Sequence, residues 1–218
     1  MSEETVTTVL DGEASRRDTE RTLLFTDAVV AIAITLLALD LPVPHGATNT
    51  ELWHSAREGR SEYQSFLISF LVIFAFWRAH RQVFGAVGRL DRTLGMLNGL
   101  WLLLVIVMPF ATKVLAGDGG FELRFGFYAL LQSLTSLVFV LVVLHTRRAG
   151  LHVPGTPRSA FTTRLVHSAS VVLCFAVSVP VSIAVGEWAY FCWAAIPFGS
   201  AAGMAFTRRR WAAGGQAD

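Results

Sequence analysis

The stretch Phe25–Leu41, FTDAVVAIAITLLALDL, decides the fold: an apolar run of helix length with a carboxylate near each end, Asp27 and Asp40, and Arg21 at the chain's entry. Taken with its flanks, about residues 24–43, it meets the roughly 20 residues that a helix needs to cross the hydrocarbon of a bilayer. Pro42 and Pro44 close it, because proline has no N–H for the ladder and turns the residue before it away from helical angles. An ionised carboxylate in hydrocarbon costs several kcal/mol, so Asp27 and Asp40 each require water, a partner or a proton.

Five further stretches match the first in length and apolarity: about 64–84, 96–115, 125–144, 166–185 and 188–207. The whole chain of 218 residues is 53% hydrophobic and only 16% charged, with a mean hydropathy of +0.52, which is too apolar for a soluble domain of that size. The sequence therefore predicts an all-α integral membrane protein of six transmembrane helices. Charge placement tests the count independently. With the amino terminus inside, the inner segments hold fourteen of the 18 basic residues, among them Arg16, Arg17, Arg21, Arg78, Arg81 and Arg208 to Arg210, whereas the outer ones hold Arg57, Arg60, Lys113 and Arg124. That asymmetry predicts both termini on the cytoplasmic side. The arginines punctuate the ends of apolar spans instead of gathering on one face, so the formal charge of +2 is topological and no nucleic-acid partner is expected.

Residues 1–17 read as a loose cytoplasmic leader, 18–210 as one six-helix transmembrane channel domain and 211–218 as a cytoplasmic tail. The leader carries no basic region and small-residue cleavage site of the secretory type. Asp18 or Thr19 is a candidate helix cap before the first span. Segment 45–63 mixes polar residues with Leu52, Trp53 and Tyr63, which predicts an outer loop with a short interfacial helix. Pro109 predicts a kink or a broken outer end in the third span, and Pro180 interrupts the fifth. GDGG at 117–120 lacks the Lys-Ser/Thr pair of a phosphate loop and reads as an outer turn. Cys174 and Cys192 lie in separate spans and read as free apolar thiols. No metal site or cofactor is expected, since His80, His145, His152 and His167 are dispersed with no HExxH spacing, and no serine sits in a glycine-flanked elbow. The chain does not read as an enzyme.

Ile32, Leu36 and Leu39 are spaced i, i+4, i+7 and form one stripe along the first span. The same spacing serves a pore lining, a lipid-facing side or core packing, and periodicity alone leaves these open. Asp27 near the inner end calls for a partner on another helix, with His80, Arg21 and Arg78 at a suitable depth; Asp40 occupies the outer end, where a ring of such carboxylates would concentrate cations in an oligomer. His80 either meets the cytosol or faces the bundle. Asp91 and Asn98, seven residues apart, share one face of the third span, with Asn98 the more buried.

These residues carry a resemblance. Arg21-x-x-x-Phe25-Thr26-Asp27, followed by Ala31-Ile32-x-x-Thr35-Leu36-Leu37 and Leu39, resembles the signature of the Transmembrane protein 175 family of lysosomal and prokaryotic potassium channels. It continues through Phe76-Trp77-x-x-His80, Phe84, Asp91, Leu94, Leu97-Asn98 and Pro109-Phe110. Thr26 stands where the signature has serine, and Arg81 where a second histidine is common. The resemblance implies a potassium-preferring cation channel in a prokaryotic cell membrane, a homotetramer whose first helices line a central pore amid membrane lipids. By the same resemblance Ile32 forms the narrow hydrophobic ring, Leu36 and Leu39 form successive rings outward, and Asp40 stands at the pore mouth. Arg21, Phe25, Thr26, Asp27, Trp77, His80, Asp91 and Asn98 would form the network that holds the pore helix. The competing reading is a secondary ion or small-solute transporter, to which the prolines and intramembrane carboxylates loosely conform, although the two halves show no convincing inverted repeat.

Overall fold

The computed structural model describes residues 3–156 and 158–194. Its helices, in chain order, are α1 (Glu3–Leu39), α2 (Asn49–Glu58), α3 (Arg60–Phe84), α4 (Arg92–Ala116), α5 (Phe121–Arg148) and α6 (Arg158–Val185), then a 3₁₀ turn (Gly186–Ala189) and α7 (Tyr190–Ala194). Five of these are long and apolar enough to cross a membrane: Ser15–Leu39 within α1, then α3, α4, α5 and Phe161–Val185 within α6. The 25 residues of α3 and of α4 give about 37 Å of helix, enough for a hydrocarbon layer of about 30 Å with some tilt. Most of the expected sixth span, residues 195–207, lies outside the described residues, as does the tail 211–218.

α4 sits at the centre of one half, packing against α1, α3 and α5, while α6 lies against α5. The seam is built from large apolar side chains without exposure, among them Trp101, Val105 and Met108 of α4 and Phe125, Tyr128 and Phe139 of α5. At the far end, Trp193 of α7 stacks on Phe125 at 4.4 Å between centroids and donates to the Ser178 hydroxyl at 2.9 Å. Gly186, at φ +59°, adopts the left-handed angle that lets α6 end without a side-chain clash.

Three expectations change. α1 is one helix from Glu3, so Asp18 and Thr19 lie within it and cap nothing; the Thr19 hydroxyl donates back to the Ser15 carbonyl at 3.1 Å. Thr5 to Val9 and Gly12 are poor helix formers, but extending an existing helix gains a hydrogen bond per residue without a new nucleus. α6 runs unbroken through Pro180, and of the two alternatives at Pro109 the broken end does not form, since α4 also runs through it. A proline removes one rung only, which the rest of the ladder and the packing of the helix against its neighbours outlast; the nearby Ser178 and Ser182 hydroxyls bond the carbonyls of Phe175 and Val179.

The short helix expected within segment 45–63 is α2, capped by Thr48, whose hydroxyl accepts from the Glu51 N–H at 3.3 Å. The turn into α3 is tight: a side chain at Gly59 would meet the Pro42 ring at 2.7 Å. Tyr63 fastens the same corner by donating to the Pro42 carbonyl at 2.6 Å. At the other end of α3, the α3–α4 and α5–α6 loops are stitched together by backbone bonds, Gly88 N–H to Leu151 O at 2.8 Å and Val153 N–H to Ala86 O at 2.9 Å. Cys174 and Cys192 are free.

Candidate ion pathway and its polar backing

α1 presents two distinct faces. Thr26, Val30, Ala33 and Leu37, spaced four, three and four residues apart, are buried against α3 and α4. Phe25, Ile32, Leu36 and Leu39 form a separate stripe, rotated by roughly a third of a turn, and stay exposed at 64%, 59%, 43% and 78%. Ile32, Leu36 and Leu39 thus stand together, clear of the subunit's own core. Phe25 joins them rather than packing with Asp27 and Trp77.

Behind Thr26 of α1 lies a chain of buried polar groups. Asn98 of α4 donates from Nδ2 to the Thr26 hydroxyl at 3.1 Å and accepts at Oδ1 from His80 Nε2 of α3 at 2.8 Å. Because the amide oxygen only accepts, the Nε2 atom of His80 carries the proton. The ring is stacked between Phe84 and Trp101, 4.1 and 4.6 Å away, and its Nδ1 has no hydrogen-bond partner among the described residues. One helix turn away, Trp77 Nε1 donates to Asp27 at 2.8 Å, and Arg81 pairs with the same carboxylate at 3.5 Å while lying over the Trp77 ring. Asp27 therefore has the partner it requires, but in Trp77 and Arg81 instead of His80, Arg21 or Arg78.

The remaining expected residues separate. Asp91 caps α4 by accepting from the Leu94 N–H at 2.7 Å, and its other oxygen meets His145 of α5 at 2.8 Å. Desolvation pushes its carboxyl upward, but the Leu94 N–H, the hydrogen bond and charge of His145 and the nearby Arg89 outweigh this and hold it below its ordinary range. Arg21 is exposed and has no hydrogen bond or ion pair among the described residues. Asp40 turns toward α4 and pairs with Lys113 at 2.8 Å. Arg81, His145 and Lys113 were thus missed as working partners. Their signal lay in the sequence only as unassigned charge at span ends, since a pairing across helices has no fixed spacing. Among the described residues, no three His, Cys, Asp or Glu side chains come together as a metal site.

Among the described residues, five apolar helices of spanning length, three of them joined by buried polar groups, define the class: an all-α, multi-span membrane protein. Residues 21–109 match the family described as the endosomal/lysosomal potassium channel TMEM175. A potassium channel of Streptomyces collinus is 38% identical over 130 residues, which are 58% of this chain and 63% of that one. A potassium channel of Chamaesiphon minutus is 40% identical over 108 residues, 45% of this chain and 50% of that one. The crystal structure of a lysosomal potassium-selective channel TMEM175 homolog from Chamaesiphon minutus superposes with a TM-score of 0.71 at 26% identity, covering 86% of this chain and 98% of that one. The curated matches thus span 63% and 50% of those two relatives' own lengths. The chain is homologous to the TMEM175 potassium channel family, prokaryotic members included. The resemblance read from Arg21 to Phe110 falls on the same stretch as the family match.

Proposed function

We propose that this chain is the subunit of a potassium-preferring cation channel of a prokaryotic cell membrane, assembled as a homotetramer with α1 innermost. The observation that carries the reading is the aliphatic stripe of Ile32, Leu36 and Leu39, left uncovered on the one helix whose other side is tied into the subunit by Thr26 and Asp27. Homology to potassium channels of two prokaryotes supports the ion and the membrane. Four such stripes around an axis make aliphatic collars, with Ile32 the narrowest. A collar of that kind stops conduction by dewetting and, slightly wider, passes a partly hydrated cation. Potassium rearranges its water more readily than sodium, which gives a preference without carbonyl ligands. Ala31 offers no hydroxyl to that preference, and the Thr35 hydroxyl is engaged with the Ile32 carbonyl at 2.9 Å, so the discrimination is modest. The polar chain behind Thr26 supplies a stiff backing, because a collar sets a selective radius only if its helix does not drift.

The test is flux into liposomes under potassium, sodium and cesium gradients. Ile32→Asn is expected to raise cation leak several-fold and to flatten the discrimination, since an amide wets the collar. Unchanged flux and selectivity in a normally assembled variant rejects Ile32 as the constriction. Saturable, ion-coupled exchange in the parent protein would replace the channel by a transporter.

A further inference from the structure

The resemblance places Asp40 at the pore mouth, where a ring of carboxylates would gather cations, and the structure supplies the partner that it requires. Asp40 lies in the turn just past α1, three residues after the buried Leu37, and with Leu37, Glu62, Thr112 and Lys113 it lines a cavity of about 260 Å³ between the end of α1, α3 and α4. Lys113 Nζ reaches Asp40 Oδ1 at 2.8 Å across that cavity, from a helix with no other basic residue at its outer end. Leu39, the next residue back, is on the exposed stripe.

We propose that Lys113 sets the conductance of the outer mouth by neutralising Asp40, so that the mouth carries a held-back ring of charge. The inference rests on the channel reading with α1 innermost. A paired carboxylate and ammonium present a dipole to an approaching ion, whereas the carboxylate alone presents a full charge one residue from the outermost aliphatic collar. Four full charges at an entrance raise the local cation concentration and the rate of entry; four dipoles raise it little. Lys113 is therefore a positioning residue for the field, with no contact to the ion. Glu62, which also lines the cavity, adds negative charge and makes the balance sensitive to the loss of this one ammonium.

The prediction has a sign that a structural ion pair does not share. Removing either end of a purely structural pair harms the protein in the same direction. Here Lys113→Gln is expected to raise potassium conductance from the outer side by about 2- to 4-fold at low ionic strength, and Asp40→Asn, which leaves Lys113 unpaired, is expected to lower it. The double variant returns toward the parent. In salt near 1 M, where the screening length falls to about 3 Å, all four proteins are expected to converge. The measurement is conductance in planar bilayers with potassium chloride varied on the outer side. Equal conductance in parent and Lys113→Gln at low salt overturns the inference, and so does a change of the same sign in both single variants or one that persists at high salt. A parent protein that passes no potassium overturns the channel reading itself, an outcome distinct from the others.

Discussion

Asn98 holds two helices at once, because its amide offers a donor to Thr26 and an acceptor to His80 and has both partners within 3.1 Å. An apolar residue there would leave a ring N–H and a hydroxyl buried without partners, and in an interior without water the desolvation of such groups is not recovered. Asn98→Leu is therefore expected to destabilise the protein by about 1–3 kcal/mol. A thermal scan of the detergent-solubilised protein reads this as a lower apparent Tm, and an unchanged midpoint would remove Asn98 from the backing of α1. At this scale the sequence was informative about which side chains matter and weak about whom they meet. Thr26, Asp27, Trp77, His80 and Asn98 were all legible as polar or aromatic residues in apolar surroundings, which in a bilayer must find partners. That His80 takes Asn98 while Asp27 takes Trp77 depends on helix rotation, and no residue spacing encodes it.

Asp91 belongs to the scale of the element, since it terminates α4 and joins that terminus to α5 through His145. Removing the cap by Asp91→Ala is expected to cost about 1 kcal/mol. The pH dependence follows from the direction of its shift. A carboxyl held below its ordinary range in the folded protein binds its proton more readily when unfolded, so it adds stability above the unfolded value, which is lost as pH falls through the lowered folded one. Asp91→Asn keeps a capping oxygen without a charge. Its stability should then lose less between about pH 6 and pH 3 than that of the parent, and parallel acid-unfolding curves for the two proteins would contradict the assignment. Element boundaries were read well where prolines or glycines stood, as at Pro42 and at the turn 117–120. They were read poorly at the amino end, where helix continued into residues whose own propensities argue against it.

The whole molecule poses the question of what covers Phe25, Ile32, Leu36 and Leu39, which no part of the described subunit buries. If four α1 helices meet at an axis, cysteines placed at Ile32 in a background with Cys174 and Cys192 replaced are expected to cross-link between copies under mild oxidation. A protein that assembles but yields only monomers on denaturing gels would put that stripe against lipid and end the central-pore proposal. The polar ties sit toward the two ends of the span: one set behind Thr26 and Asp27, and the Asp40–Lys113 pair just past Leu39. Between them Val30, Ala33 and Leu37, with Val29 and Ile34 partly buried beside them, pack the helix against the apolar core.

The membrane class and the first five spanning segments were determined by the sequence alone, because the hydrophobic effect acts on each segment by its own length and apolarity, whatever its neighbours are. Tertiary structure alone decided the partners: Trp77 and Arg81 for Asp27, Lys113 for Asp40, His145 for Asp91. A hydrogen bond or ion pair depends on distances of a few ångströms between different helices, and those exist only once the bundle has set each helix's depth and rotation.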